Sequence, residues 1–222
     1  MQKMKVKIGL IRVITLNDEE KLNKHGRLIE KYFPNLNVIS MSIPDQPFGI
    51  YDNETEKLAV PKILQLGEKM EMIEKVKLII VSCAADPGVK ELREGLSIPI
   101  FGAGSAVASL ALSYGERIGV IGISEELPPV MKEVFSNHSV YYKRPAKVNS
   151  TLDLSTKDIQ ESAFEAAKEL EKARCNVIAL ACTGFSSIGI AKELEKFTGI
   201  PVLDPVMAVG LIAYHCILKN SN

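Results

Sequence analysis

Tryptophan is absent from the 222 residues, histidine occurs three times and cysteine four times. Four cysteines in a chain of this length do not make a disulfide framework, which points to a reducing compartment, the cytoplasm. Neither sign of charge is in excess: 27 Lys and Arg balance 27 Asp and Glu, for a formal net charge of zero. The lack of a basic stripe along the chain argues against an electrostatic nucleic-acid partner. No apolar run reaches the roughly eighteen or more residues of a membrane span. Residues 205–218 come closest, but the run is short and contains His215. The opening MQKMKVKIGLI has no cleavage-like site and reads as a first strand rather than a signal peptide. His25, His138 and His215 fall outside every motif, and the sequence assigns them no role.

What the chain does have is a repeat. Residues 77–88, KLIIVSCAADPG, and residues 176–187, NVIALACTGFSS, are each an apolar run of strand length ending in a cysteine, Cys83 or Cys182. Continuous apolar runs of this length read as buried parallel strands. After each cysteine come a helical pattern, a short strand (Ile98-Pro99-Ile100 or Ile200-Pro201-Val202) and a small-residue helix. Upstream, the Ile8-Gly9 strand corresponds to the Ile118-Gly119 strand. The Ile-Gly pairs lie 110 residues apart and the cysteines 99, so the first half carries about eleven extra residues before its cysteine. The Pro, Asp and Asn of residues 44–61 place that excess in a loop.

Taken in order, the pattern predicts strands at 5–12, 38–43, 78–83 and 98–101, with helices at 19–34, 56–74 (interrupted near Gly67), 87–96 and 104–114. Strands at 117–123, 138–142, 176–182 and 200–204 and helices at 126–136, 156–174, 185–197 and 206–218 repeat the order. Asp18 or Asn17 can cap the first helix, and Ser155 or Thr156 the one beginning near 156. Residues 143–156 read as a solvated loop. Strands alternating with helices imply an α/β fold of βαβ units with parallel central sheets. Two pseudo-symmetric Rossmann-like lobes are expected, with the active site in the cleft between them.

In open α/β sheets ligands sit beyond the carboxyl ends of the strands, and both Cys83 and Cys182 stand there. Cys175 and Cys216 read as small buried hydrophobes. A pseudo-twofold repeat would bring the two strand ends face to face, with one thiol on each side of a bound substrate. A thiolate on one face can remove a proton from a carbon acid while a thiol on the other returns one, inverting the stereocentre. A helix N-terminus can lower a thiol's pKa. The backbone N–H groups of Ala84, Ala85, Thr183 and Gly184 could serve as an oxyanion hole. Arg12, beyond the first strand, could hold a carboxylate in a charge-assisted fork or stand at the surface. Asp86 before Pro87 reads as an N-cap, and Ser105 and Ser124 as capping residues at helix or strand starts.

At these residues the chain resembles the aspartate/glutamate/hydantoin racemase superfamily over nearly its whole length. Ala181-Cys182-Thr183-Gly184 resembles the second cysteine motif, and Cys83 with Asp86-Pro87-Gly88 the first motif of the hydantoin racemase branch. Gly199-Ile200-Pro201-Val202-Leu203-Asp204-Pro205 is similar to that branch's second-half strand. The resemblance implies catalysis by Cys83 and Cys182 without a cofactor or metal. It also implies a small-molecule substrate; the residues' own placement makes Arg12, Ala84, Ala85, Ser124, Thr183 and Gly184 the candidate contacts. The substrate would be a 5-substituted hydantoin or an amino acid such as aspartate, and the assembly a homo-oligomer. It further implies a first lobe of residues 1–103 plus 207–222 and a second of residues 104–206. The chain departs from glutamate racemases in having Ala84-Ala85 and Thr183-Gly184 after its cysteines. It departs from hydantoin racemases in having Arg12-Val13-Ile14-Thr15 where they carry an Asn-Pro-Asn-Thr-like loop.

Three other readings compete. A maleate-type cis–trans isomerase would use one cysteine as a nucleophile on the same scaffold. A non-catalytic small-molecule-binding protein, or a redox switch, would leave the thiols idle or pair them. Dinucleotide binding rests on Gly102-Ala103-Gly104-Ser105, which gives only part of a G-x-G-x-x-G pattern because Val107 stands at the third glycine.

Overall fold

The computed structural model describes residues 5–148 and 150–219. Residues 1–4 of the expected first-strand region and residues 220–222 of the expected first lobe lie outside them. Strands β1 (Val6–Arg12), β2 (Leu36–Ser42), β3 (Ile79–Ser82) and β4 (Ile100–Gly102) form a parallel sheet in the order β2-β1-β3-β4. Strands β5 (Arg117–Gly122), β6 (Ser139–Lys143), β7 (Val177–Ala181) and β8 (Val202–Leu203) repeat it as β6-β5-β7-β8. The registers match as well, with Gly9 opposite Ile79 in the first sheet and Gly119 opposite Ile178 in the second. The expected pair of similar α/β halves is therefore what the chain builds.

Alternation along each strand divides the core. Ile8, Leu10 and Ile80 of the first sheet share one buried cluster with Ile118, Val120, Val177 and Ala179 of the second. Between them lie helices α4 (Ala103–Ala111) and α9 (Pro205–Lys219), which touch each other and strands of both sheets. The alanines and glycine of α4 let the backbones approach closely, which explains its small-residue sequence. On the opposite pleat, Ile79 and Val81 pack against α2 (Asn53–Met72) and α3 (Val89–Gly95). Ile178 and Leu180 do the same against α6 (Lys157–Lys172) and α8 (Ala191–Thr198). Truncating a fully buried member such as Ile80 to Ala would cost about 2–5 kcal/mol.

Local chemistry explains where the elements depart from the simple pattern. Helix α1 (Glu19–Tyr32) starts at Asp18, whose carboxylate accepts from Lys21 N at 2.9 Å, as expected. Helix α2 begins earlier than residue 56 because Asp52 and Thr55 form a capping box. It runs unbroken through Gly67, where Leu92 of α3 lies in the space of a missing side chain. Helix α5 (Pro129–Val134) is shorter than 126–136, since residues preceding Pro128 and Pro129 are held out of the α region. The helix expected at 185–197 is broken into α7 (Gly184–Ile188) and α8 by Gly189 at φ +71°. Thr156 stands at the N-cap of α6 without a side-chain cap bond, its hydroxyl donating instead to Asp153 O at 2.8 Å. The extra length of the first half goes largely into α1, fourteen residues against six in α5, rather than into the 44–61 loop.

Candidate functional site

β3 and β7 end at equivalent points, so Cys83 and Cys182 follow directly at the carboxyl edges of the two sheets. Both side chains line one cleft of about 630 Å³. Arg12 at the end of β1, Ser124 beyond β5, and Ala84, Ala85, Thr183 and Gly184 after the two cysteines line it too. The structure thus brings together all eight residues singled out from the sequence. Residues 49–53 and Glu56 form a further wall. Their loop is pinned by buried Gln46, whose Nε2 donates to Gly49 O and Thr55 O at 3.2 and 3.0 Å.

Cys182 is 7% exposed and surrounded by donors. Gly184 N–H donates to its sulfur at 3.3 Å, and the Thr151 hydroxyl lies at 3.9 Å. Burial raises the Cys182 thiol above its ordinary value, while those donors, the Phe185 N–H and the Arg12 charge oppose the rise. Gly184 has no room for a side chain, since a Cβ would stand 2.5 Å from the Thr151 methyl. Cys83 is only partly buried but faces different company. Burial pushes its thiol far up, the Ala85 N–H opposes, and negative charge on Cys182, Asp86 and Glu56 pushes it further. The amides of Ala85 and Gly184 therefore serve the sulfurs. Both cysteines are free thiols.

Arg12 is no surface arginine. It is 7% exposed, and its Nη1 donates to Lys21 O and Leu22 O of α1 at 2.9 and 3.2 Å. Burial lowers its pKa to about 10, opposed by the nearby Cys182. Ser124 donates to Glu126 O at 2.7 Å, and Tyr142 donates to Ser124 O at 2.6 Å.

Asp86 does not cap the helix that follows it. Held at φ +55°, it turns its carboxylate onto α4, where Oδ1 accepts from Gly104 N at 2.6 Å and Oδ2 from Ser105 N at 2.9 Å. A side chain at Gly104 would collide with Ala84 O, so the glycine permits this close approach. The amides that a Gly-x-Gly turn would offer a dinucleotide phosphate are taken by the protein's own carboxylate. Ser105, expected as a capping residue, instead supplies one of those amides. In the second half Asp204 Oδ1 accepts from Val206 N, Met207 N and the Ser186 hydroxyl at 2.8, 3.0 and 2.8 Å.

Three features escaped the sequence reading. His25, assigned no role, is fully buried on α1, with Nδ1 2.8 Å from Ser82 Oγ and Nε2 2.8 Å from Ser187 Oγ. It links the residue before Cys83 to the helix after Cys182. Thr183 makes a parallel link, its hydroxyl donating to Ser82 O at 3.1 Å. The available signal was the i, i+4 pairing of His25 with Ile29 on the buried face of α1. The segment expected to be solvated loop is the third feature. It buries Val148 and Leu154, folds Thr151–Ser155 into a 3₁₀ turn, and brings Arg144 and Thr151 to the cleft. Among the described residues no helix is long and apolar enough to cross a membrane, and no cluster of three or more His, Cys, Asp or Glu is arranged to hold a metal ion.

Residues 24–209 match the Asp/Glu/Hydantoin racemase family, which is most of the chain. The protein belongs to this family. A hydantoin racemase of Rhizobium meliloti is 28% identical over 184 residues, covering 79% of this chain and 74% of that one. Among solved structures, allantoin racemase from Pseudomonas fluorescens superposes with a TM-score of 0.80 at 19% identity, covering 97% of this chain and 92% of that one. A glutamate racemase of Bacillus anthracis gives 0.72 at 15% identity, covering 100% and 84%. These structures share the two-lobed racemase fold, and the family places the protein among the isomerases.

Proposed function

We propose that this racemase inverts a carbon-acid stereocentre by two-cysteine acid/base catalysis. One observation carries the reading: two unbonded thiols at equivalent strand ends border the same cleft. The Cys182 thiolate takes the proton from the substrate carbon, and the released electron pair moves into the adjacent carbonyl as an enolate. The Cys83 thiol then protonates the opposite face. The proton bookkeeping closes on the two sulfurs, whose roles exchange in the reverse direction. In this reading the Ala84 and Thr183 amides face the developing enolate oxygen. Ala85 and Gly184 tune the thiols, Ser124 shapes the cleft, and Arg12 meets the substrate's polar group.

The lobe division we favour is residues 1–103 with 207–222 against residues 104–206; α9 packs on α1, β3 and β4 of the first as well as on α4 and β7 of the second. A cytoplasmic homo-oligomer acting on a hydantoin or an amino acid completes the proposal. The test is incubation in D₂O with chiral hydantoins and amino acids, following α-proton loss and optical rotation. Exchange with racemisation, abolished by Cys83→Ala and by Cys182→Ala, is expected. Full racemisation by either variant would refute the mechanism.

A further inference from the structure

Helix α1 is fixed to the first sheet at three points. Arg12 Nη1, from the end of β1, donates to Lys21 O and Leu22 O at 2.9 and 3.2 Å. The Glu30 carboxylate accepts from Val38 N of β2 at 2.8 Å. Between them Gly26 lies so close to β2 that a Cβ there would stand 2.8 Å from Ser40 Oγ. His25, the residue before that glycine, is fully buried and reaches from this anchored helix to both halves at once. Nδ1 meets Ser82 Oγ and Nε2 meets Ser187 Oγ, each at 2.8 Å.

Ser82 stands immediately before Cys83, and Ser187 lies in α7, which begins two residues after Cys182. Thr183, directly after Cys182, closes the circuit by donating to Ser82 O at 3.1 Å. A neutral imidazole has one donor and one acceptor, so one serine hydroxyl donates to the ring and the other accepts from it. The two-thiol mechanism uses neither His25 nor Ser187, and an apolar side chain would fill this face of α1 as Ile29 does. A buried polar network that is fully satisfied instead specifies one arrangement of the elements it joins. Here those elements carry the two thiols.

We infer that His25 is a positioning residue: by tying Ser82 to Ser187 it fixes the spacing of Cys83 and Cys182 across the cleft. This rests on the two-thiol reading, under which that spacing matters, and adds the group that sets it. The two sulfurs must reach opposite faces of one carbon, and a misplacement of about 1 Å in such a geometry costs about a hundredfold in rate. Neither His25 nor Ser187 lines the cleft, so their loss acts on the chemical step rather than on substrate binding.

Ser187→Ala cuts the tie at the second half, and His25→Phe removes it while keeping a ring in place. Each should lower kcat for racemisation about ten- to a hundredfold, with KM changed by less than about twofold. The double variant should be no slower than His25→Phe alone, because both changes act through one link. His25→Gln, which retains a donor and an acceptor, should recover part of the rate. Tyr32→Phe removes an exposed contact between the halves, Lys192 Nζ to Tyr32 Oη at 3.4 Å, and should leave kcat unchanged. A second readout needs no turnover. Dibromobimane, a reagent with two thiol-reactive arms, should bridge Cys83 to Cys182 in the wild-type protein, as read by peptide mass spectrometry. The ratio of bridged to singly alkylated product should drop several-fold in Ser187→Ala and His25→Phe. Ser187→Ala, the milder change, carries both readouts if His25→Phe does not fold. No bridge in the wild-type protein, unchanged bridging in Ser187→Ala, losses that multiply in the double variant, or an equal loss in Tyr32→Phe would overturn the inference. Racemisation at the wild-type rate by Ser187→Ala would overturn it too and leave the racemase reading intact. Bridging that depends on Ser187 in a protein that racemises nothing would sink the racemase reading and leave the tie standing.

Discussion

Cys83 and Cys182 end the equivalent strands of two sheets with the same strand order, yet their surroundings are opposite in charge. Each sulfur has one following amide, Ala85 or Gly184, but Cys182 also has the Arg12 charge and the Thr151 hydroxyl, whereas the negative charges of Asp86 and Glu56 bear on Cys83. The capping carboxylates are also exchanged between the halves. The inner helix of the first half is capped by Asp86, from the loop after the cysteine. In the second half Asp204, at the end of the last strand, caps its own helix, and Ser186 supplies the contact from the cysteine side. The repeat therefore fixes where the thiols stand, and the side chains that differ between the copies decide which one holds a proton. In the proposed mechanism a turnover begins with one thiolate and one thiol, and the unequal surroundings bias which sulfur carries the proton in the free protein.

The largest effects should come from the thiols. Cys83→Ala and Cys182→Ala should each lower the racemisation rate about a thousandfold, read as optical rotation against time. A loss at only one of them would break the symmetry of the account.

The link between the halves comes next. His25→Ala leaves Ser82 and Ser187 without their shared partner and should cost about 1–3 kcal/mol in urea unfolding. Burial, together with the Arg12 and Lys24 charges, holds the His25 pKa well below its ordinary value. A depressed pKa means stability that is present above about pH 6.5 and lost as pH falls towards the folded-state value. Wild-type stability should therefore fall between about pH 6.5 and pH 5 with a slope that His25→Gln flattens; equal slopes in the two proteins would deny the buried neutral imidazole.

The caps give the smallest effect. Asp86→Ala and Asp204→Ala should each cost about 1–2 kcal/mol of thermal stability. Only Asp86→Ala should also make Cys83 easier to ionise, since it removes a neighbouring negative charge. A similar easing of Cys182 by Asp204→Ala would show that the two copies are electrically alike after all.

The repeat was legible because buried parallel strands write themselves as apolar runs, and Cys83 and Cys182 end two of them. The lining residues Ala84, Ala85, Thr183 and Gly184 followed from being next to those strand ends. Contacts made across the chain left less trace. Asp86 looked like a local cap because nothing in its neighbourhood announces Gly104 and Ser105, eighteen and nineteen residues on. His25 and Ser187 meet across 162 residues. Thr151 reaches the cleft from a stretch with too little periodicity to read. The burial of Arg12 depends on carbonyls of α1, which a pattern of residue types does not display.

The central claim is that Cys182 is the more readily ionised thiol of an otherwise symmetric pair. Iodoacetamide labelling of the free protein across alkaline pH, with each cysteine followed by peptide mass spectrometry, tests it directly. Cys83 is the more exposed of the two, so access alone would have it react first. The account predicts the reverse: Cys182 labels at lower pH than Cys83, and Arg12→Met moves its labelling to higher pH. Labelling of Cys83 first, or of both together, would contradict it.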